Sequence, residues 1–163
     1  MKPTSADSEQ ANAWSETLTG YLRSDGRKGI RNLVVVMAAA VADYRPALML
    51  AGKRPKDSAA WTLELEPTTD VLATLGAAKH DAQLLVGFAA DEGERGLARA
   101  REKLDRKRAD LFVYNDVARA DIGFDAAENA VTLITHSGER AVPKAPKDEI
   151  AASILDALES LLG

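Results

Sequence analysis

The sequence predicts an α/β fold in three layers, with a mostly parallel sheet, helices on both faces, a strand-and-loop extension and a C-terminal hairpin. Three observations predict it. Residues 32–41, 83–89 and 111–114 are short apolar runs without polar alternation, as in strands buried on both faces. A charged, amphipathic stretch over residues 92–108 separates the second run from the third. Strand-like and helix-like segments alternate along the chain, the order from which layered α/β sandwiches of Rossmann-like type are built.

Residues 1–10 are polar and predict a disordered N-terminus, leaving residues 11–163 as a single domain. Residues 11–23 carry Trp14, Leu18 and Leu22 at helical spacing, and Ser24-Asp25-Gly26 stops that helix. The first buried strand covers residues 32–41. An irregular extension follows, broken by Pro46, Gly52 and Pro55, and the strict alternation of residues 62–66 predicts a half-exposed strand. Thr68 and Thr69 offer N-caps for a short helix over residues 70–75. Strand 83–89, helix 92–108 (Leu97, Ala100 and Leu104 inward) and strand 111–114, ending on Asn115-Asp116, come next. Residues 130–135 and 139–142 read as a hairpin around His136-Ser137-Gly138. A closing helix over residues 148–162 turns Ile150, Ile154, Leu155, Leu158 and Leu161 to the core.

Composition narrows the chemistry. The 163 residues include no cysteine, which excludes disulfides, thiolate catalysis and Cys-based metal sites. A net charge of −4 does not favour nucleic acid or a membrane surface. The apolar run Leu33 to Ala42 is about half of the ~20 residues that span a bilayer. The polar N-terminus does not resemble a signal peptide, so the expected compartment is the cytoplasm.

Ligands of open α/β sheets bind at the carboxyl ends of the strands. Asp43, Asp91 and Asp116 follow the three buried runs and could converge on one rim, where carboxylates suit Mg²⁺ shared with phosphates. Polar residues also end strands simply because strands end at the surface. Lys53, Arg54 and Lys56 crowd the extension as cations for a polyphosphate or as a solvated loop. Lys103 and Lys107 share one helix face, with acidic residues interleaved and no aromatic for base stacking, so a solvated face is the competing reading. His80 and His136 have no triad-like neighbours and read as structural. Walker, G-x-G-x-x-G and G-x-S-x-G motifs are missing from the sequence.

In order, the motifs are specific. The succession AAVADYRP, K-x-x-K, TTDVL, VGFAAD and AREKLDRKRADLFVYNDV, then Gly123-Phe124 with Asn129-Ala130, resembles phosphopantothenate–cysteine ligase from about Val34 onward. In many bacteria this ligase is the C-terminal half of a bifunctional protein whose other half is a flavin-dependent decarboxylase. The resemblance implies activation of the 4′-phosphopantothenate carboxylate by CTP with Mg²⁺. The acyl-cytidylate formed is then attacked by the amine of cysteine. It implies that Met37, Ala38 and Ala39 line the nucleotide by backbone beside Asp43, and that Lys53 is the essential phosphate-binding, catalytic lysine. Thr69, Asp70, Val71, Leu72, Phe88, Lys103 and Lys107 match further nucleotide-contacting positions, and Asn115 matches the asparagine of the family's N-D pair. Metal ligands are not assigned by it. The extension, residues 44–66, matches the segment through which these enzymes form homodimers.

Three departures accompany the match. The family's N-terminal region, with its Asn-x-Ser-Ser-Gly loop, is not among these residues, which implies a separate N-terminal half or decarboxylase partner. Pro55 replaces the middle lysine of K-x-K-K, and Asp91 stands where glutamate is usual. A non-catalytic nucleotide-binding or dimerisation module is the alternative. A geometric tension accompanies the lysines: the end of helix 92–108 should lie far from the strand carboxyl ends that Lys103 and Lys107 are expected to serve.

Overall fold

The computed structural model describes residues 33–48, 50–118 and 127–162. The expected helix over residues 11–23, the N-terminal residues 1–10 and Gly123-Phe124 lie outside them. In chain order the elements are β1 (Leu33–Val36), β2 (Tyr44–Pro46), β3 (Leu65–Pro67), α1 (Val71–Ala78), β4 (Gln83–Asp91), α2 (Gly93–Arg106), β5 (Leu111–Asp116), β6 (Glu128–Thr135), β7 (Gly138–Pro146) and α3 (Lys147–Leu162).

Five strands form one sheet in the order β1-β4-β5-β6-β7, and β2 with β3 forms a separate two-stranded arm. The pairs β1–β4 and β4–β5 are parallel, with Val36 opposite Val86 and Asp91 opposite Asp116. The pairs β5–β6 and β6–β7 are antiparallel. The expected α/β sandwich is present, and among the described strands of this sheet only β6 runs against the other four, so the sheet is mixed at the C-terminal hairpin. The reason is local: the tight turn at Gly138 (φ 146°) can join only antiparallel neighbours.

Two apolar clusters make the sandwich. On one face Leu72 and Leu75 of α1 and Leu104 of α2 pack with Leu85, Phe112 and Ile134 of the sheet. On the other, Ile150 and Leu158 of α3 pack with Leu84, Val86, Leu111, Val113 and Leu133. Successive residues of β4 and β5 feed opposite clusters, so both faces need apolar side chains. That is why these strands read as continuous apolar runs. Gly87 sets the spacing on the α1 side, because a Cβ there would meet Phe112 at 2.6 Å and Leu72 at 2.7 Å.

Several boundaries differ from expectation for identifiable reasons. β1 stops at Val36, and the chain leaves the sheet after the Met37 amide donates to the Val86 carbonyl at 3.0 Å. The α1 cap is Asp70, not Thr68 or Thr69: its side chain accepts from the Ala73 amide at 3.0 Å. Thr68 instead donates its amide to the Asp43 carbonyl at 2.9 Å and its hydroxyl to the Ala42 carbonyl. In the arm, the apolar side of the alternation does not face a core: Leu63 and Leu65 are about half exposed. Leu155 and Leu161 of α3 are exposed rather than core-facing, while Ile150 and Leu158 are buried.

Candidate functional site

α1 leads into the start of β4, so its N-terminus lies at the end of the sheet where β1, β4 and β5 finish. The Thr68 bonds fix that placement, joining the residues before α1 to Ala42 and Asp43 after β1. The rim therefore combines Met37–Asp43, Thr69–Leu72 and the last residues of β4 and β5. Met37 is half-buried and packs against the α1-side cluster, whereas Ala38, Ala39 and Asp43 are exposed. Small exposed residues here leave the backbone open to close approach.

The start of α1 presents donors. The first N–H groups of a helix have no intrahelical partner. Ala73 is served by the Asp70 side chain and Thr74 by the Asp70 carbonyl at 3.0 Å, which leaves the Val71 and Leu72 amides at the open end. The side chains of Val71 and Leu72 are buried, so these two residues can meet a ligand only by backbone. Phe88 is 41% exposed beyond the buried residues 83–87 of β4, offering an aromatic side chain near the rim.

For Lys107 the distance from the strand ends is shortened by the reach of its side chain. The C-terminal end of α2 lies against α1, and the Lys107 side chain extends along α1 to its cap. The ammonium stands 3.2 Å from an Asp70 carboxylate oxygen. Its side chain is only 17% exposed. Lys103, one turn nearer the rim, is half-buried and helps hold the Asp91 carboxyl low. Lys107 thus pairs with Asp70 at the open end of α1, while Lys103 stands near Asp91.

Lys53 is placed elsewhere. It lines a concavity made wholly by the arm: Leu50, Gly52, Lys53, Arg54, Pro55 and Trp61. Arg54 stacks over Trp61 at 4.6 Å and pairs with Asp57 at 3.5 Å.

Two of the three strand-end carboxylates are already occupied. Asp91 is gripped by Nε and Nη2 of Arg99, at 2.8 and 2.5 Å, and accepts from the Glu92 amide at 2.8 Å. The Arg99 contact, with that amide, holds its carboxyl at about 2. One oxygen of Asp116 accepts from the Gly93 amide at 3.0 Å and the Ala118 amide at 3.1 Å. The Tyr114 hydroxyl donates to the Asp91 and Gly93 carbonyls (3.1 and 2.8 Å), and burial pushes its pKa up. These bonds build the β4–α2 turn. Asp43 alone of the three keeps an exposed carboxylate, and no group of three or more potential metal ligands occurs among the described residues. A divalent cation here would rest mainly on ligand phosphates, as Mg²⁺ commonly does.

Asn115, the last but one residue of β5, has a buried side-chain carbonyl oxygen without a hydrogen-bond partner. An orphaned acceptor of this kind awaits a donor. His136 bonds the Ala109 carbonyl at 3.1 Å, consistent with a structural residue. Asp110 went unnoticed in the sequence; it pairs with Lys79 at 2.9 Å and accepts from the Leu85 amide at 2.7 Å, clamping the start of β5 to β4.

Comparison with known proteins agrees with this architecture. Residues 27–162 match the DNA/pantothenate metabolism flavoprotein C-terminal domain family. The coenzyme A biosynthesis bifunctional protein CoaBC of Vibrio vulnificus (strain YJ016) is 36% identical over 132 residues, covering 80% of this chain and 33% of the relative. That of Bacillus subtilis (strain 168) is 39% identical over 129 residues, covering 78% and 31%. The solved C-terminal domain of a CoaBC superposes with a TM-score of 0.65 at 33% identity, covering 93% of this chain and 62% of that one. The chain spans about a third of the length of the curated relatives it matches. Through the family match and these relatives, the chain belongs to the family of the DNA/pantothenate metabolism flavoprotein C-terminal domain.

Proposed function

We propose that the chain is the nucleotide-handling part of a phosphopantothenate–cysteine ligase of coenzyme A biosynthesis. The observation that carries this reading is the Lys107 ammonium held at the Asp70 cap of α1, at the same end of the sheet as the exposed Ala38-Ala39 backbone. In this reading CTP lies at the rim by the N-terminus of α1, with Asp43 and Thr69 beside it and Phe88 near it. The substrate carboxylate oxygen attacks the α-phosphorus and pyrophosphate leaves. The cysteine amine then attacks the acyl carbon, an amide bond forms, and CMP and a proton leave. Cations and helix amides stabilise the charge that develops on phosphate, which explains how such chemistry proceeds without a protein nucleophile. Mg²⁺ supplies further charge neutralisation on the triphosphate. Asn115 accepts a hydrogen bond from bound substrate.

Lys53 reaches phosphate only when the arm is brought to a rim. The exposed apolar side chains of the arm (Leu48, Leu50, Trp61, Leu63, Leu65) support its burial against a second copy in a homodimer. The region that holds the acyl intermediate comes from a separate N-terminal segment or the decarboxylase half. The compartment is the cytoplasm, and among the described residues no helix is long and apolar enough to cross a membrane. Incubation with CTP, Mg²⁺, 4′-phosphopantothenate and cysteine tests the proposal. Pyrophosphate release is expected, at the latest after addition of a relative's N-terminal half, and it should be abolished by Lys53→Ala. Tight CTP binding with no release in either case would identify a non-catalytic nucleotide module instead.

A further inference from the structure

The contact between α1 and the end of α2 turns on one residue. Gly76 is buried on α1, and a Cβ built there would overlap the Lys107 carbonyl oxygen and lie 2.9 Å from its carbonyl carbon. The obstacle is backbone, so a rotamer change cannot relieve it. The same residue, Lys107, sends its ammonium to Asp70 at the other end of α1. Six residues of helix separate Gly76 from Asp70, a rise of about 9 Å. That is a span a lysine crosses only if its backbone starts hard against the helix. The turn at the end of α2 locks the carbonyl in place: the Lys107 amide bonds the Lys103 carbonyl and the Ala109 amide the Leu104 carbonyl, both at 3.0 Å.

We propose that Gly76 is a positioning residue for nucleotide binding: it lets the end of α2 seat directly on α1, and this seat, with Asp70 as the far anchor, delivers the Lys107 ammonium to the rim. The inference rests on the reading that Lys107 meets nucleotide, and it adds a residue that touches no ligand. A side chain at position 76 would lift the end of α2 and withdraw the amine while leaving the rim's own residues in place.

Two measurements on the full chain separate the brace from that reading. Reductive methylation followed by mass spectrometry reports whether the Lys107 amine is held. Wild-type Lys107 should label several-fold more slowly than exposed Lys53, and Gly76→Ala should remove most of that difference. Calorimetry of CTP with Mg²⁺ across wild type, Lys107→Ala, Gly76→Ala and the double variant reports function. Losing one charge-assisted phosphate contact corresponds to roughly a tenfold weaker Kd for Lys107→Ala. Gly76→Ala should cost roughly fivefold or more in the wild-type background and less than about twofold in the Lys107→Ala background, by the logic of the mutant cycle. Unchanged labelling, or an equal loss of affinity in both backgrounds, overturns the proposal. Altered labelling with Lys107→Ala binding CTP normally overturns the role of Lys107 in binding, and with it the functional part of the proposal, while the brace stands. If Gly76→Ala does not fold, Asp70→Asn replaces it; asparagine keeps the helix cap but loses the anchoring charge, and unchanged Lys107 labelling there is equally decisive.

Discussion

Arg108 carries a cost that a single substitution removes. Among the described residues it is the one non-glycine with a left-handed backbone, at φ 51°. It sits just past the Lys107 C-cap, where glycine is usual. Arg108→Gly should stabilise the fold by about 0.5–1 kcal/mol, less the added freedom of the unfolded chain, visible as a higher urea midpoint at constant slope. Asp110→Ala should act in the other direction. It leaves the Lys79 ammonium and the Leu85 amide without their partner, both part-buried, at a cost of about 2–3 kcal/mol in the same assay. Asp91 predicts the acid limb. Its carboxyl is lowered to about 2 from 3.8 by Arg99. The contribution is therefore complete above the ordinary carboxylate range and is lost as pH falls from about 4 through 2. Arg99→Gln should flatten that part of the stability–pH curve measured by circular dichroism. At this scale the sequence was least legible. Asp43, Asp91 and Asp116 look alike as strand-end acids, and only the fold shows that Arg99 and the turn amides claim two of them.

Elements were easier to read, because burial imposes periodicity over several residues. The runs that became β4 and β5 are apolar without interruption because both sheet faces are covered. The alternation at residues 62–66 announced a strand that forms only over Leu65–Pro67, and it could not say what its apolar side would meet. β3 pairs only with β2, and Leu65 is 53% exposed. The arm therefore contributes little to the stability of one chain. Replacing Trp61, Leu63 and Leu65 together by serine should leave the thermal midpoint nearly unchanged. Under the proposed homodimerisation through the arm, light scattering should give a dimer mass for the wild type and a monomer mass for the triple variant. On α3, Leu155 and Leu161 followed the helical period but fell outside the narrow strip that β6 and β7 cover.

At the scale of the molecule, order of motifs carried more than any motif alone. The family was legible because the motifs carried by β1, the arm, α1, β4 and α2 follow one another in a fixed order. What could not be read was reach. Helix polarity places Lys107 at the wrong end of the sheet, and only its path along α1 corrects that impression. Lys53 poses the converse case: it is near the rim in sequence and held on the arm in space.

The Thr68 bonds to Ala42 and Asp43 have one more consequence. They cinch the two ends of the arm together where it departs from the sandwich, so residues 44–67 form a closed appendage whose length the rest of the chain does not sense. Such a loop is exchangeable: replacing its distal part, residues 48–63, by a two-residue turn shortens the closure that folding must make without moving either pinned end. The trimmed chain should keep the Lys107–Asp70 pair while losing Lys53. Under the proposed function that separates holding the nucleotide from acting on it.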